Sequence, residues 1–225
     1  MPEKQVKSKQ RVADHGEVFT AEREVKAMCD LVAQECERID SRFLEPACGD
    51  GNFLAEILTR KLTVVSKKYK KSAYDWERYS LLALGSVYGV ELLDDNCVVC
   101  RERLFKLWDS EYKKVCKKEC NDDTRASARF ILGLNIVCGN ALSLMCVDDE
   151  QNDTEEPIVF SEWSFPRNDA FIYRKDYTFD ELVNADKPKE DKESQLSLFG
   201  KDEPDDEGRF ISEYKCHYRR LGENG

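Results

Sequence analysis

The stretch Glu45-Pro-Ala-Cys-Gly-Asp-Gly-Asn-Phe53 decides the fold, because it joins a short strand candidate at residues 42–45 to a stretch with helical spacing at 52–65. Two glycines, two positions apart, allow a tight turn and leave no Cβ atom in the way of a ligand. The helix that follows begins with free N–H groups. Glu45 stands at the carboxyl end of the strand, which is the edge where open α/β sheets bind ligands. The stretch is neither a P-loop nor a complete Gly-x-Gly-x-x-Gly fingerprint, since Leu54 replaces the third glycine.

On both sides of this stretch, segments with helical and strand patterns alternate. Strands separated by helices predict an α/β fold, an open and mostly parallel sheet with crossover helices. The predicted helices cover residues 22–39, 52–65, 73–86, 94–118 and 125–132, and the predicted strands cover 42–45, 87–92, 135–138 and 157–160.

Two later strand ends also carry polar side chains that suit a nucleoside ligand. Glu91 ends the second predicted strand, and a carboxylate there can accept two hydrogen bonds from a ribose diol. Asn140 follows the third strand, and its amide can recognise the edge of an adenine ring. Three suitable groups at successive strand ends form a stronger pattern than any one of them.

These motifs resemble those of the S-adenosylmethionine-dependent DNA adenine-N6 methyltransferases of bacterial restriction–modification systems. His15-Gly-Glu-Val-Phe-Thr20 resembles the N-terminal Gly-x-x-Phe-Thr-Pro motif of that family, with Ala21 in place of the proline. The stretch from Glu45 to Phe53 resembles the glycine-rich Asp/Glu-Pro-Ala-x-Gly-x-Gly-x-Phe motif. Residues 89–92 and 139–140 resemble the ribose-binding and adenine-binding motifs. The resemblance covers residues 12–165.

The resemblance implies a Rossmann-like class I methyltransferase fold with an incomplete C-terminal half. It also implies S-adenosyl-L-methionine as cofactor and methyl transfer to the exocyclic amine of adenine in DNA. The cofactor-binding residues that it implies are Thr20, Glu45, Ala47, Gly49, Gly51, Asn52, Phe53, Glu91, Leu92, Asn140 and Ala141.

The family's catalytic motif, Asn/Asp/Ser-Pro-Pro-Tyr/Phe, is degenerate in this sequence. In the family, its polar groups accept hydrogen bonds from the target amine and its aromatic ring stacks on the flipped base. Residues 158–165 stand at that place, and both prolines are missing. Ser161 takes the first position, Glu162 can accept from an amine, and Trp163 can stack; these three are the catalytic candidates. The alternative is that the segment is structural.

Sixty residues follow residue 165, and much of that length is the acidic linker. We therefore expect one or two further strands, at 174–182 and 209–218, rather than three, and no room for a DNA-reading domain. Base-specific contacts with DNA would then come from a partner subunit. Three functions stay open: a methyltransferase, a non-catalytic cofactor-binding subunit of a larger modification complex, or a sliding-clamp-tethered module on a degenerate methyltransferase scaffold. The acceptor need not be DNA, because the cofactor motifs do not specify it.

The composition divides the chain into a flexible N-terminus at 1–14, a cofactor-binding domain at 15–180, an acidic linker at 181–207 and a C-terminal segment at 208–225. The linker has ten acidic and four basic residues, a net charge of −6, and is predicted to be disordered. Its one apolar cluster resembles the sliding-clamp-binding peptide Gln-Leu-x-Leu-Phe, and its predicted contacts are Gln195, Leu196, Leu198 and Phe199. The C-terminal segment is expected to form a strand or to dock on the core.

The remaining composition bears on location, charge and thiols. No apolar run is long enough for a membrane span and no signal peptide is visible, which predicts a cytoplasmic protein without membrane contact. The net charge of −10 argues against binding nucleic acid through overall charge.

Six basic residues in the acid-free stretch 59–72 are a candidate phosphate patch; the alternative is a solvated helix end. The pairs Cys97/Cys100 and Cys116/Cys120 could bind zinc, but buried thiols are preferred, so no metal is predicted.

Overall fold

The structure, a computed structural model, describes residues 8, 10, 11, 13, 20–183 and 210–223. The candidate clamp-binding residues 195–199, most of the acidic linker and residues 15–19 of the N-terminal motif lie outside the described residues.

The described residues form seven α-helices and eight strands. The helices are α1 (Glu22–Leu31), α2 (Ala33–Cys36), α3 (Asn52–Tyr69), α4 (Ala73–Gly85), α5 (Asp94–Cys116), α6 (Asp122–Asn135) and α7 (Phe179–Val183). The strands are β1 (Phe43–Glu45), β2 (Val87–Glu91), β3 (Ile136–Asn140), β4 (Met145–Val147), β5 (Asp153–Pro157), β6 (Val159–Ser164), β7 (Phe171–Thr178) and β8 (Ser212–His217). Two 3₁₀ turns, Lys117–Glu119 and Leu221–Glu223, complete the elements.

A five-stranded sheet of order β1-β2-β3-β4-β5 forms the centre of the chain. β1, β2 and β3 are parallel, whereas β4 and β5 are antiparallel additions. The register pairs Glu45 with Gly89 and Glu91 with Cys138, so both carboxylates lie at the carboxyl ends of adjacent strands. The mixed α/β fold is confirmed, but the parallel part of the sheet is limited to three strands.

Two crossover helices begin at side-chain caps: α4 begins at residue 73 as predicted, whereas α6 begins at Asp122, three residues before its predicted start. Ser72 precedes α4, and its hydroxyl accepts a hydrogen bond from the Asp75 N–H at 3.2 Å. Asn121 precedes α6, and its side-chain oxygen accepts from the Thr124 N–H at 2.8 Å. Such caps satisfy N–H groups that the first turn of a helix leaves unpaired. The helices bury a core that includes Leu54, Trp76, Trp108, Ile131 and Leu132.

A second, three-stranded antiparallel sheet has the order β6-β7-β8, and residues at its start pack against the central sheet. Ile158, Phe160 and Phe179 pack there against Tyr88 and Val90 of β2. The prediction that residues 157–160 continue the parallel sheet is therefore wrong. Ile158 lies between β5 and β6 and is buried, and Gly139 leaves room for its side chain. A Cβ atom at Gly139 would lie 2.7 Å from Ile158 Cδ1. In the described part of the chain, β1 is consequently an edge strand.

The C-terminal segment both forms a strand and docks on the core, as expected. β8 pairs with β7, and Tyr218 and Leu221 are buried beyond it. The docking is polar as well as apolar: the fully buried carboxylate of Glu77 accepts hydrogen bonds from the Tyr218 hydroxyl at 2.7 Å and from two nitrogens of Arg219 at 2.7 and 3.0 Å.

Three of the four candidate zinc thiols and two of the six basic residues in the stretch 59–72 are buried or paired within the fold. Cys97 and Cys100 are fully buried on α5, and within the described residues no group of three or more His, Cys, Asp or Glu side chains could hold a metal ion. Lys61 is buried and donates to the carbonyl oxygens of residues 38, 39 and 41. Arg60 pairs with Asp30 and Glu56. Four lysines of the stretch stay exposed, at residues 67, 68, 70 and 71.

No helix among the described residues has the length and apolar character that crossing a membrane requires.

Candidate functional site

A cavity of about 580 Å³ opens at the carboxyl ends of β1, β2 and β3. Its volume is in the usual range for a cofactor or small-ligand site. Ten of the eleven predicted cofactor residues line it: Thr20, Glu45, Ala47, Gly49, Asn52, Phe53, Glu91, Leu92, Asn140 and Ala141. The structure thus brings together residues that are up to 121 positions apart in the sequence, from Thr20 to Ala141.

The glycine-rich turn between β1 and α3 forms the floor of the cavity. Gly49 and Gly51 have φ values of +53° and +87°, which residues with a Cβ atom rarely adopt. Gly51, the one predicted residue that does not line the cavity, faces α5 instead. A Cβ atom at Gly51 would lie 2.6 Å from the Sγ atom of Cys100. Its glycine is therefore required by the turn and by helix packing.

Glu91 links the end of β2 to this turn. Its carboxylate is buried and accepts hydrogen bonds from the backbone N–H of Gly49 at 2.8 Å and of Leu93 at 3.1 Å. The side-chain amide of Asn96 donates to it at 3.3 Å. A carboxylate has about four acceptor positions, so one stays free for a ligand hydroxyl.

Glu45 faces the cavity from the end of β1. Partial burial raises the pKa of its carboxyl group, and a hydrogen bond from the Ala47 backbone opposes that rise. No described cationic side chain forms an ion pair with Glu45. A cationic group of a ligand would therefore find an uncompensated carboxylate here.

Asn140 lies on the opposite wall, but its amide is already engaged. Its side-chain nitrogen donates to Asp153 at 3.0 Å, and its side-chain oxygen accepts from the Leu142 N–H at 3.0 Å. These bonds shape the loop after β3, which leaves Leu142 96% exposed at the lip of the cavity. Recognition of an adenine edge by this amide would require one of the two bonds to be exchanged.

Several residues at the site carry no motif signal and were not predicted. Arg103 on α5 donates to the Asn52 side-chain oxygen and to Asp50 Oδ2, the latter at 2.8 Å. Asn96 contacts Glu91, and Met28 of α1 adds an apolar side chain to the wall. The sequence signal for Arg103 is only a basic residue within a charged helix, so its role depends on tertiary packing.

The three catalytic candidates do not line this cavity. Ser161 is buried in β6 and donates a hydrogen bond to Asp176 at 2.6 Å. Trp163 is 4% exposed and packs on Gly85, where a Cβ atom would lie 2.6 Å from its ring. Glu162 is partly exposed and pairs with Arg42 at 3.3 Å. The predicted stacking of Trp163 on a base is incompatible with this burial, and the segment is structural in this conformation.

No family model, no curated protein and no solved structure matches this chain.

Proposed function

We propose that this chain binds S-adenosyl-L-methionine in the cavity at the carboxyl ends of β1–β3, as a DNA adenine-N6 methyltransferase-like protein with a Rossmann-like class I architecture. One observation carries the proposal: ten residues chosen by resemblance to that family surround one cavity of suitable size. The geometry supports a nucleoside ligand with a charged tail, because a glycine turn lies between two strand-end carboxylates.

The charges of the cavity suit the amino-acid part of this cofactor. The ligand carries a sulfonium and an ammonium group, and Glu45 offers them a carboxylate without a described counter-ion. The ligand's own carboxylate can bind at the start of α3, where no side chain caps the helix and no acidic residue occupies the first turn. Unpaired N–H groups and the helix dipole favour an anion there.

The nucleoside part would lie over the ends of β2 and β3. The free acceptor position of Glu91 would take a ribose hydroxyl, and Leu92 and Ala141 would contact the adenine ring. When bound, the cofactor supplies an electrophilic methyl group to an acceptor amine that attacks in line. The contribution of this chain would be to hold that methyl group in position.

A second candidate function, a non-catalytic cofactor-binding subunit, is favoured by the edge position of β1. The N–H of Phe43 donates to Ser86 O at 2.9 Å, so the backbone groups of Phe43 face β2. Successive residues of a strand alternate in direction, so the N–H and C=O of Leu44 point away from β2. The Leu44 side chain is 43% exposed. Doubly wound sheets bind ligands at the point where the strand order reverses, with further strands on both sides of it. Among the described strands, none lies beyond β1. A partner subunit would then supply the acceptor side and the contacts to DNA.

Calorimetric titration with S-adenosylmethionine tests the proposal directly. The wild-type chain should bind with a measurable heat, and Gly49→Val should weaken binding at least tenfold, about 1.4 kcal/mol. The strain of a β-branched residue at positive φ explains the loss. Gly133→Val is the matched control, because a Cβ atom there meets no atom within 4 Å. Absence of binding by a folded wild-type chain would refute the proposal.

A further inference from the structure

Helix α5 packs against the glycine turn through two side chains one helical turn apart. Cys100 fills the space that Gly51 leaves, and Arg103 reaches over the turn to the side chains on either side of that glycine. Residues three apart share one face of a helix, so both side chains contact the turn from the same face of α5.

The guanidinium group of Arg103 bridges two residues of the turn at once. One terminal nitrogen donates to the side-chain oxygen of Asn52, and the other donates to Asp50 Oδ2 at 2.8 Å. The planar fork of arginine can hold two acceptors in a fixed relation, whereas a lysine ammonium acts as a point charge. Because the Asn52 oxygen is occupied, its amide nitrogen is left to point towards Thr20 O, 3.5 Å away at the cavity wall.

Asp50 depends on this bridge for its charge balance. Its side chain is only 15% exposed, and its second oxygen, Oδ1, is buried without a hydrogen-bond partner among the described residues. Removing the guanidinium group would leave a nearly buried carboxylate with no counter-ion, which costs far more than an exposed ion pair is worth. The turn would have to open to hydrate that carboxylate.

We propose that Arg103 is a positioning residue that holds the glycine turn, Gly49 to Asn52, in the conformation required for ligand binding. The inference rests on the proposed function, since it names the residue that prepares that same cavity for S-adenosylmethionine. Arg103 does not line the cavity and is assigned no contact with the ligand.

The test combines amide hydrogen exchange of the ligand-free chain with S-adenosylmethionine titration. The N–H groups of Gly49 and Gly51 are bonded to Glu91 and to Cys48 O, so their exchange reports directly on the turn. In Arg103→Ala we expect the protection of both amides to fall at least tenfold and the dissociation constant to rise at least tenfold. Arg103→Lys should fall between this variant and wild type.

Arg129→Ala is the matched control. Arg129 of α6 also forms an ion pair with α5, at 2.8 Å, but its partner is Glu102 and not a residue of the turn. It should leave glycine protection and affinity unchanged. If Arg103→Ala does not fold, the double variant Asp50→Asn/Arg103→Ala removes the unpaired charge and is used instead. A smaller loss of protection is expected there, because the bridge is lost but no buried carboxylate is left unpaired.

Wild-type protection and affinity in Arg103→Ala, or in the double variant, would overturn the inference. A wild-type chain that does not bind S-adenosylmethionine would refute the proposed function. The exchange of Gly49 and Gly51 in the ligand-free variants would still decide whether Arg103 holds the turn, so the two failures are distinguishable.

Discussion

Replacing Glu91 by glutamine is the sharpest perturbation of the candidate site, because it keeps the shape of the side chain and changes only its hydrogen bonding. The carboxylate accepts from three protein donors, on Gly49, Leu93 and Asn96. An amide has one acceptor oxygen. With that oxygen turned to Leu93 and Asn96, the NH₂ group faces the Gly49 N–H, and two donors oppose each other.

The magnitude follows from the contacts that are lost. A hydrogen bond to a charged acceptor contributes about 1.5–3 kcal/mol, so Glu91→Gln should lower the free energy of unfolding by about 2 kcal/mol. For a chain of this length that corresponds to a fall in Tm of roughly 4–8 °C. Binding of S-adenosylmethionine should weaken at least tenfold, about 1.4 kcal/mol, since the ribose loses an anionic acceptor and the turn loses its link to β2.

Thermal unfolding and calorimetric titration on the same samples measure both effects. Glu162→Gln is the control: its carboxylate lies outside the cavity in an exposed pair with Arg42, and such pairs contribute little. Wild-type affinity and wild-type Tm in Glu91→Gln would show that Glu91 neither binds the ligand nor holds the turn. A loss of Tm with unchanged affinity would refute the ribose assignment alone.

The remaining predictions concern catalysis, pH, stability and a partner. The isolated chain should transfer little or no methyl group from S-adenosylmethionine to DNA adenine, because Ser161 and Trp163 are buried away from the cavity; robust incorporation that Ser161→Ala abolishes would contradict this. Affinity for the cationic ligand should fall as the pH is lowered through the raised pKa of Glu45, since protonation removes the carboxylate. The fall in affinity should begin at a higher pH than for an ordinary glutamate of pKa 4.5. A plot of affinity against pH should lack this fall in Glu45→Gln. Glu77→Gln should lower the free energy of unfolding by about 3 kcal/mol, because a buried carboxylate that pairs with Arg219 is lost. Denaturant titration measures this change. A change of less than ~0.5 kcal/mol, the usual range of a surface substitution, would show that the Glu77 carboxylate does not hold the C-terminal segment on the core. A peptide spanning residues 193–201 should bind the bacterial sliding clamp with roughly micromolar affinity, and a peptide with Leu198→Ala and Phe199→Ala should not; equal binding of the two peptides would leave the motif accidental.

The sequence by itself determined the parts of the fold that depend on local chemistry. Two glycines at positive φ, a strand before them and a helix after them follow from the stretch 45–53, and the structure confirms this order. The cap at Ser72 acts within three residues, and the predicted start of α4 at residue 73 is confirmed. The cap at Asn121 is equally local, but the predicted start of α6 at residue 125 was three residues late. The positions of Glu45 and Glu91 at one edge follow because parallel strands place their carboxyl ends together.

Only the tertiary structure decided which long-range partners these elements meet. The segment 157–164 has the composition of a strand, but its place depends on the room that Gly139 and Gly85 leave for Ile158 and Trp163. No local pattern encodes such complementary packing, and the segment joined a separate antiparallel sheet. Arg103 and Asp50 are 53 residues apart in the sequence, and Arg103 is one of many charged residues on α5. The sequence therefore supplied the glycine turn, whereas the folded chain determined what holds it, because close packing and buried charge pairing are properties of the assembled core.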